Sequence, residues 1–208
     1  MKELVASFLY SALRNLFRNQ PDLSVFTHET REHEPNLSFH FANELWPYLF
    51  WLQCDFDVTK HNLDKHHPET FRRPDIVFHR RGIHAINFLV VEVKRYEKGV
   101  KDDIAKIHQY WFPPPLHYRF GASVLINEQT GEFAVQLFEN VHGDAVLKLT
   151  QKNEKLGRHV LDDRPNHRKE LGLLVGQIDE VHRAGHGTDE LKLKLDKCVC
   201  GLYGLKAK

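Results

Sequence analysis

Two carboxylates and one amine stand where chemistry is possible in this chain: Asp75, Glu92 and Lys94. Asp75 opens the run DIVFH and Glu92 sits near the end of NFLVVEV, and the two positions are symmetric about a turn expected between Arg80 and Ile86, which contains Gly82. If the runs pair as a regular hairpin, Asp75 and Glu92 lie directly opposite each other. Residues two apart on a strand share a face, so Lys94 joins them. Opposed carboxylates on so apolar a strand repel and lose water, which is costly unless a cation compensates. A hard divalent cation is the economical explanation, because Mg²⁺ takes one or two carboxylates and fills its shell with water and substrate phosphate.

The elements that must position these groups follow from periodicity. The first 20 residues place Leu4, Phe8, Ala12, Leu13 and Leu16 on one helical face, and Pro21 and Asp22 end that helix. A second helical stretch runs from about Phe39 to Leu52 and contains Pro47, either in its first turn with Asn43 as cap or at a kink. A short strand is expected from Phe56 to Thr59, then the polar, His-rich connection HNLDKHHPET, then the strands of the hairpin. NFLVVEV is a nearly continuous β-branched and apolar run, as expected of a buried central strand. KDDIAKIHQYW reads as a helix stopped by Pro113 to Pro115, and GASVLI, FAVQLF and AVLKLT read as further strands. A helix carries Leu171, Leu174, Ile178 and Val181, and the alternation of Leu191, Leu193 and Leu195 suggests an edge strand. The expected class is mixed α/β or α+β, a central mixed sheet flanked by helices, in a single domain of 208 residues.

With RPDIVF, then EVK, and 16 residues between the two acids, the chain resembles the PD-(D/E)XK phosphodiesterase superfamily, which includes restriction endonucleases. The resemblance implies a restriction-endonuclease-like αβββαβ core over about residues 38–127. The N-terminal helix, 1–20, and a C-terminal helical and strand extension, 128–208, lie outside it. It implies that Asp75 and Glu92 bind Mg²⁺ or Mn²⁺, that Lys94 orients or helps deprotonate the attacking water, and that DNA is the substrate, with RNA the weaker possibility. An acid from the preceding helix often completes such a site; Glu44 is the natural candidate, with an ordinary first-turn glutamate as the alternative, and Glu34 would serve if the helix began earlier. Gln109 resembles a glutamine of some branches, but a solvated helix face is the preferred reading. A non-catalytic nucleic-acid-binding or assembly module that keeps the fold is the competing reading.

Charge distribution bears on the partner. Between Lys60 and Lys101 ten basic residues stand against five acids, so a formal net charge of +1 averages a basic motif region with a mildly acidic remainder. Arg72, Arg73, Arg80, Arg81 and Arg95 are the expected nucleic-acid contacts, a basic rim around an acidic centre. A solvated charged hairpin is the bland alternative. Among the 15 His, His61, His66 and His67 match no usual structural zinc spacing, and His182 and His186 fall where Gly185 and Gly187 suggest a helix end. Trp46, Phe50 and Trp51 read as core, and Trp111 as packing.

No apolar run reaches the ~18 residues that span a bilayer, and the charged first segment is unlike a secretory signal. The three cysteines, Cys54, Cys198 and Cys200, suggest reduced thiols and a cytoplasmic setting. No nucleophile elbow or phosphate-cradling glycine loop is present to support a serine hydrolase or a kinase. The C-terminal helix and tail are the candidate contacts of a homodimer.

Overall fold

The computed structural model describes residues 1–20, 23, 33–56, 72–128, 130–140, 145–150 and 165–202. Helix α1 (Lys2–Asn19) buries Leu4, Phe8, Ala12, Leu13 and Leu16, the stripe its 3.6-residue period predicts. Helix α2 (His33–Leu45) starts earlier than expected and hands over to a 3-10 turn, Trp46–Leu49. Pro47 sits in the first turn of that short element, where a missing N–H leaves no bond broken. Then follow β1 (Gln53–Phe56), β2 (Ile76–His79) and β3 (Asn87–Lys94). Helix α3 (Val100–Lys106) widens into a π turn over Ile107–Trp111. The chain continues through β4 (Phe120–Asn127), β5 (Glu132–Glu139), β6 (Ala145–Thr150), α4 (Pro165–Arg183) and α5 (Asp189–Leu202).

The six strands form one mixed sheet in sequence order. All neighbours are antiparallel except β3 and β4, which run parallel because α3 carries the chain back across the sheet. The continuous apolar run of β3 is explained by its two covered faces. Leu89, Val91 and Val93 pack into the main core with α1 and α2, while Val90 joins Val77, Ile107 and Trp111 on the opposite face.

Three expectations change here. The first strand occupies Gln53–Phe56 rather than Phe56–Thr59, and residues 57–59, like the His-rich connection, lie outside the described residues. The Leu191–Leu195 tail is the start of α5, not an edge strand. Asp189 and Glu190 supply acidic charge to that helix's first turn, and Leu195 and Val199, four residues apart, are the buried ones while Leu193 points out. Alternating leucines satisfied both periods, and the four-residue stripe against the core decided between them. Trp46, expected in the core, is half-exposed.

Beyond residue 127 the sheet continues through β5 and β6. Leu171 and Ile178 of α4 and Leu195 and Val199 of α5 enter the same core as α1. Among the described residues no helix is long and apolar enough to cross a membrane.

Candidate functional site

The hairpin has the register its symmetry predicts. Ile76 faces Val91, Val77 faces Val90 and Phe78 faces Leu89, so one further step places Asp75 beside Glu92. Asp75 stays at the strand entrance because its Oδ2 accepts the Val93 N–H at 2.7 Å. Glu92 is completely buried and takes the Trp111 indole N–H on Oε1 at 2.6 Å. Lys106 Nζ lies 3.4 Å from Glu92 Oε2 and donates to Asp103 Oδ1 at 2.7 Å. Lys94 Nζ donates to Glu34 from the first turn of α2 and lies 3.8 Å from Asp103 Oδ2. Four carboxylates and two ammonium groups thus interlock where β2, β3, α2 and α3 converge.

Backbone geometry brings these side chains together. Gly121 of β4 lies so close to the π turn that a Cβ there would stand 2.3 Å from Ile107 Cγ2. Only glycine permits that approach, and the approach seats Trp111 over the sheet, where its N–H reaches Glu92. Gly99, at φ +101°, makes the left-handed step into α3 that sets the phase of Asp103 and Lys106.

Burial dominates the electrostatics. Desolvation pushes the Asp75 carboxyl up to about 6, against the Val93 N–H bond and the Lys94 charge. Glu92 is pushed up to about 8, first by burial and then by the charge of Asp75, with Lys106 and Trp111 pulling the other way. Lys94 and Lys106 lose water too, yet both are raised, Lys94 by its bond to Glu34 and Lys106 chiefly by Glu92 and Asp103. The pair Glu92–Lys106 is therefore unequal: Lys106 keeps its proton, with Asp103 as its firm partner, and Glu92 is the group that charges reluctantly.

This chain matches no protein-family model, no curated protein and no solved structure in comparison.

A divalent cation would find Asp75 and Glu92 as its donors. Among the described residues no three His, Cys, Asp or Glu side chains are grouped to hold one ion. Two carboxylates suffice for Mg²⁺, which keeps several waters. Asp103 Oδ2 is buried and accepts no hydrogen bond, and Lys94 Nζ lies 3.8 Å from it. Carboxylate oxygens are the donor type a hard cation takes, and at Glu92 such an ion would compete with Lys106.

Other expected site residues are placed differently. Glu44 accepts both of its hydrogen bonds from Asn19 Nδ2 of α1, and Glu34 is the helix acid at the lysine. Arg80 and Arg81 lie at the turn, the far end of the hairpin from Asp75, roughly 16 Å away at ~3.3 Å per residue. Arg81 is also tied to Asp55, whose pKa it lowers together with His79 against the effect of burial. Arg95, the residue after β3, has its side chain buried against Glu128. These three leave the expected rim, which keeps Arg72 and Arg73. Arg72 is exposed, with its guanidinium 4.4 Å from the Tyr110 ring centre. Gln109 is exposed. Asp103, Lys106 and Trp111 were missed as site residues; the only sequence signal was their common helix immediately after EVK.

Proposed function

We infer that the chain is a divalent-metal-dependent nuclease of the PD-(D/E)XK type that hydrolyses phosphodiester bonds in DNA. The observation that carries this reading is a buried Glu92 facing a half-buried Asp75, with Lys94 two residues on, an arrangement that desolvation and like charge make costly. A restriction-endonuclease-like core agrees with the order α2, β1, β2, β3, α3, β4. Asp75 and Glu92 would hold Mg²⁺ or Mn²⁺, which supplies Lewis acidity and neutralises charge at the scissile phosphate. Lys94, protonated and oriented by Glu34, positions the attacking water and stabilises charge building on the phosphoryl oxygens. Trp111 and Lys106 fix the two oxygens of Glu92. Arg72 and Arg73 draw the phosphate backbone toward this end of the hairpin.

Cleavage of plasmid and linear DNA in Mg²⁺ tests the reading, beside Asp75→Ala and Lys94→Ala; activity that survives both substitutions removes the assigned site. One observation favours a second reading, a binding or assembly module that does no chemistry: Lys94 and Lys106 already compensate the acids internally. Such a module binds DNA equally well in chelator and shows no Mn²⁺ binding that depends on Asp75 and Glu92.

A further inference from the structure

Beside the carboxylates lies a cleft of about 420 Å³ bounded by Glu34, Pro35, Ser38, Phe39, Phe56 and Asp75. Its volume is that of a small-ligand site. Each side contributes one acid and one ring: Glu34 and Phe39 from α2, Asp75 and Phe56 from the sheet side. Phe39, on α2, is 48% exposed although a helix of this kind would turn its apolar residues inward. Its ring centre lies 5.6 Å from that of Phe56 on β1, with the planes tilted by 41°. The rings therefore do not lie flat against each other. The same helix also lines the cleft with Ser38 and, one turn before it, Glu34, whose carboxylate holds Lys94. Exposed aromatic surface is thus fixed to the same helix that orients the amine of the site.

Resting on the nuclease reading above, we propose that Phe39 and Phe56 form a stacking subsite for an unpaired nucleobase, which makes single-stranded or frayed nucleic acid the substrate. A base in a duplex keeps both faces covered by its neighbours and offers Phe39 nothing. An unpaired base can turn out from its own phosphate, and a strand whose phosphate meets Asp75 carries its base into the same cleft. Stacking is tolerant of base identity because every base has a π face, so this subsite selects strand state rather than sequence. The positive charge that holds the backbone comes from Arg72 and Arg73, beside Asp75 in the chain.

The test reads binding alone, with Ca²⁺ in place of Mg²⁺, by fluorescence anisotropy with three labelled probes: a short single strand, the same strand with abasic sugars, and a blunt duplex. The wild-type chain should bind the base-bearing strand about tenfold more tightly than the abasic one. Phe39→Leu, which keeps apolar bulk without a π face, should erase that difference by weakening only the base-bearing probe, and Phe39→Tyr should retain it. Phe56→Ala should act in the same direction as Phe39→Leu. Equal affinity of wild type for base-bearing and abasic strands, or equal losses on single strand and duplex, overturns the proposal. If Mg²⁺-dependent cleavage requiring Asp75 is intact while Phe39→Leu changes nothing, the stacking subsite fails alone. If no probe binds and no cleavage occurs, the nuclease reading fails with it.

Discussion

Replacing Glu92 by glutamine removes the most strongly perturbed acid of the site and should flatten the chain's response to alkaline pH. A glutamate in an unfolded chain releases its proton near pH 4.3, and the folded chain holds the proton on Glu92 up to about 8. Between those values the folded state binds more protons than the unfolded one. Stability is therefore fully present below about pH 4 and is lost as pH rises through about 8. A rise from 4.5 to about 8 at 1.36 kcal/mol per unit sets a ceiling of ~5 kcal/mol for this group. Asp75, up at about 6, adds a loss of the same sign at lower pH, between about 4 and 6. Asp55, whose pKa is lowered, contributes stability that disappears only as pH falls below the ordinary carboxylate range, outside this window.

Urea melts of wild type and Glu92→Gln across pH 5.5 to 9, in chelator, isolate the effect as a difference of slopes. The amide oxygen can still accept the Trp111 N–H, and Lys106 keeps Asp103 as its partner. Wild type should lose several kcal/mol from pH 5.5 to 9, and the variant should lose much less and become the more stable chain at pH 9. Parallel curves would refute the reasoning, since they would mean that Glu92 carries its charge in the folded state at no cost. The same sign governs metal binding: a cation competes with the protons on Glu92 and Asp75, so Mn²⁺ should raise the melting temperature more at pH 8.5 than at pH 6.

Glu34→Gln, which weakens the hold on Lys94, should lower Mg²⁺-dependent cleavage by about tenfold or more, whereas Glu44→Gln, at the carboxylate that accepts from Asn19, should leave the rate unchanged. Gly121→Ala drives a methyl into Ile107 and should cost roughly 1–3 kcal/mol in denaturant melts, with a changed tryptophan emission as Trp111 shifts from Glu92. Arg95→Met strands Glu128 in the interior and should destabilise the chain by about 3–5 kcal/mol while leaving the salt dependence of DNA binding intact; Arg72→Met should do the reverse, flattening the salt slope with little effect on stability.

The placement of Asp75 beside Glu92 was legible because a hairpin is local. The register of two strands joined by a short turn follows from residue numbers, and the shift between Phe78 and His79 falls on the turn side, away from the acids. The same geometry, followed further, would have removed Arg80 and Arg81 from the rim, since a turn lies at the opposite end of its strands from their outer residues. The helix acid was harder. Apolar content peaks after Phe39 and hides a helix that begins at His33, although Pro35 and Glu34 in a first turn are a recognisable start. The tail was ambiguous because leucines two apart include pairs four apart, and only a core to bury Leu195 and Val199 separates helix from strand.

Asp103, Lys106 and Trp111 were beyond a local reading for a different reason. Their sequence puts them on one helix after the motif, but which of them meets Glu92 depends on the rotation of that helix over the sheet. That rotation is set by contacts distant in the chain: Gly121 of β4 against Ile107, and Gly99 at the helix entrance. Widening of the helix to a π turn over Ile107–Trp111 then moves Trp111 relative to Lys106, and the two approach different oxygens of Glu92. A glycine two strand residues from Ser123, which itself pairs with Glu92, thus decides how the buried carboxylate is held. Only a folded sheet reveals that dependence.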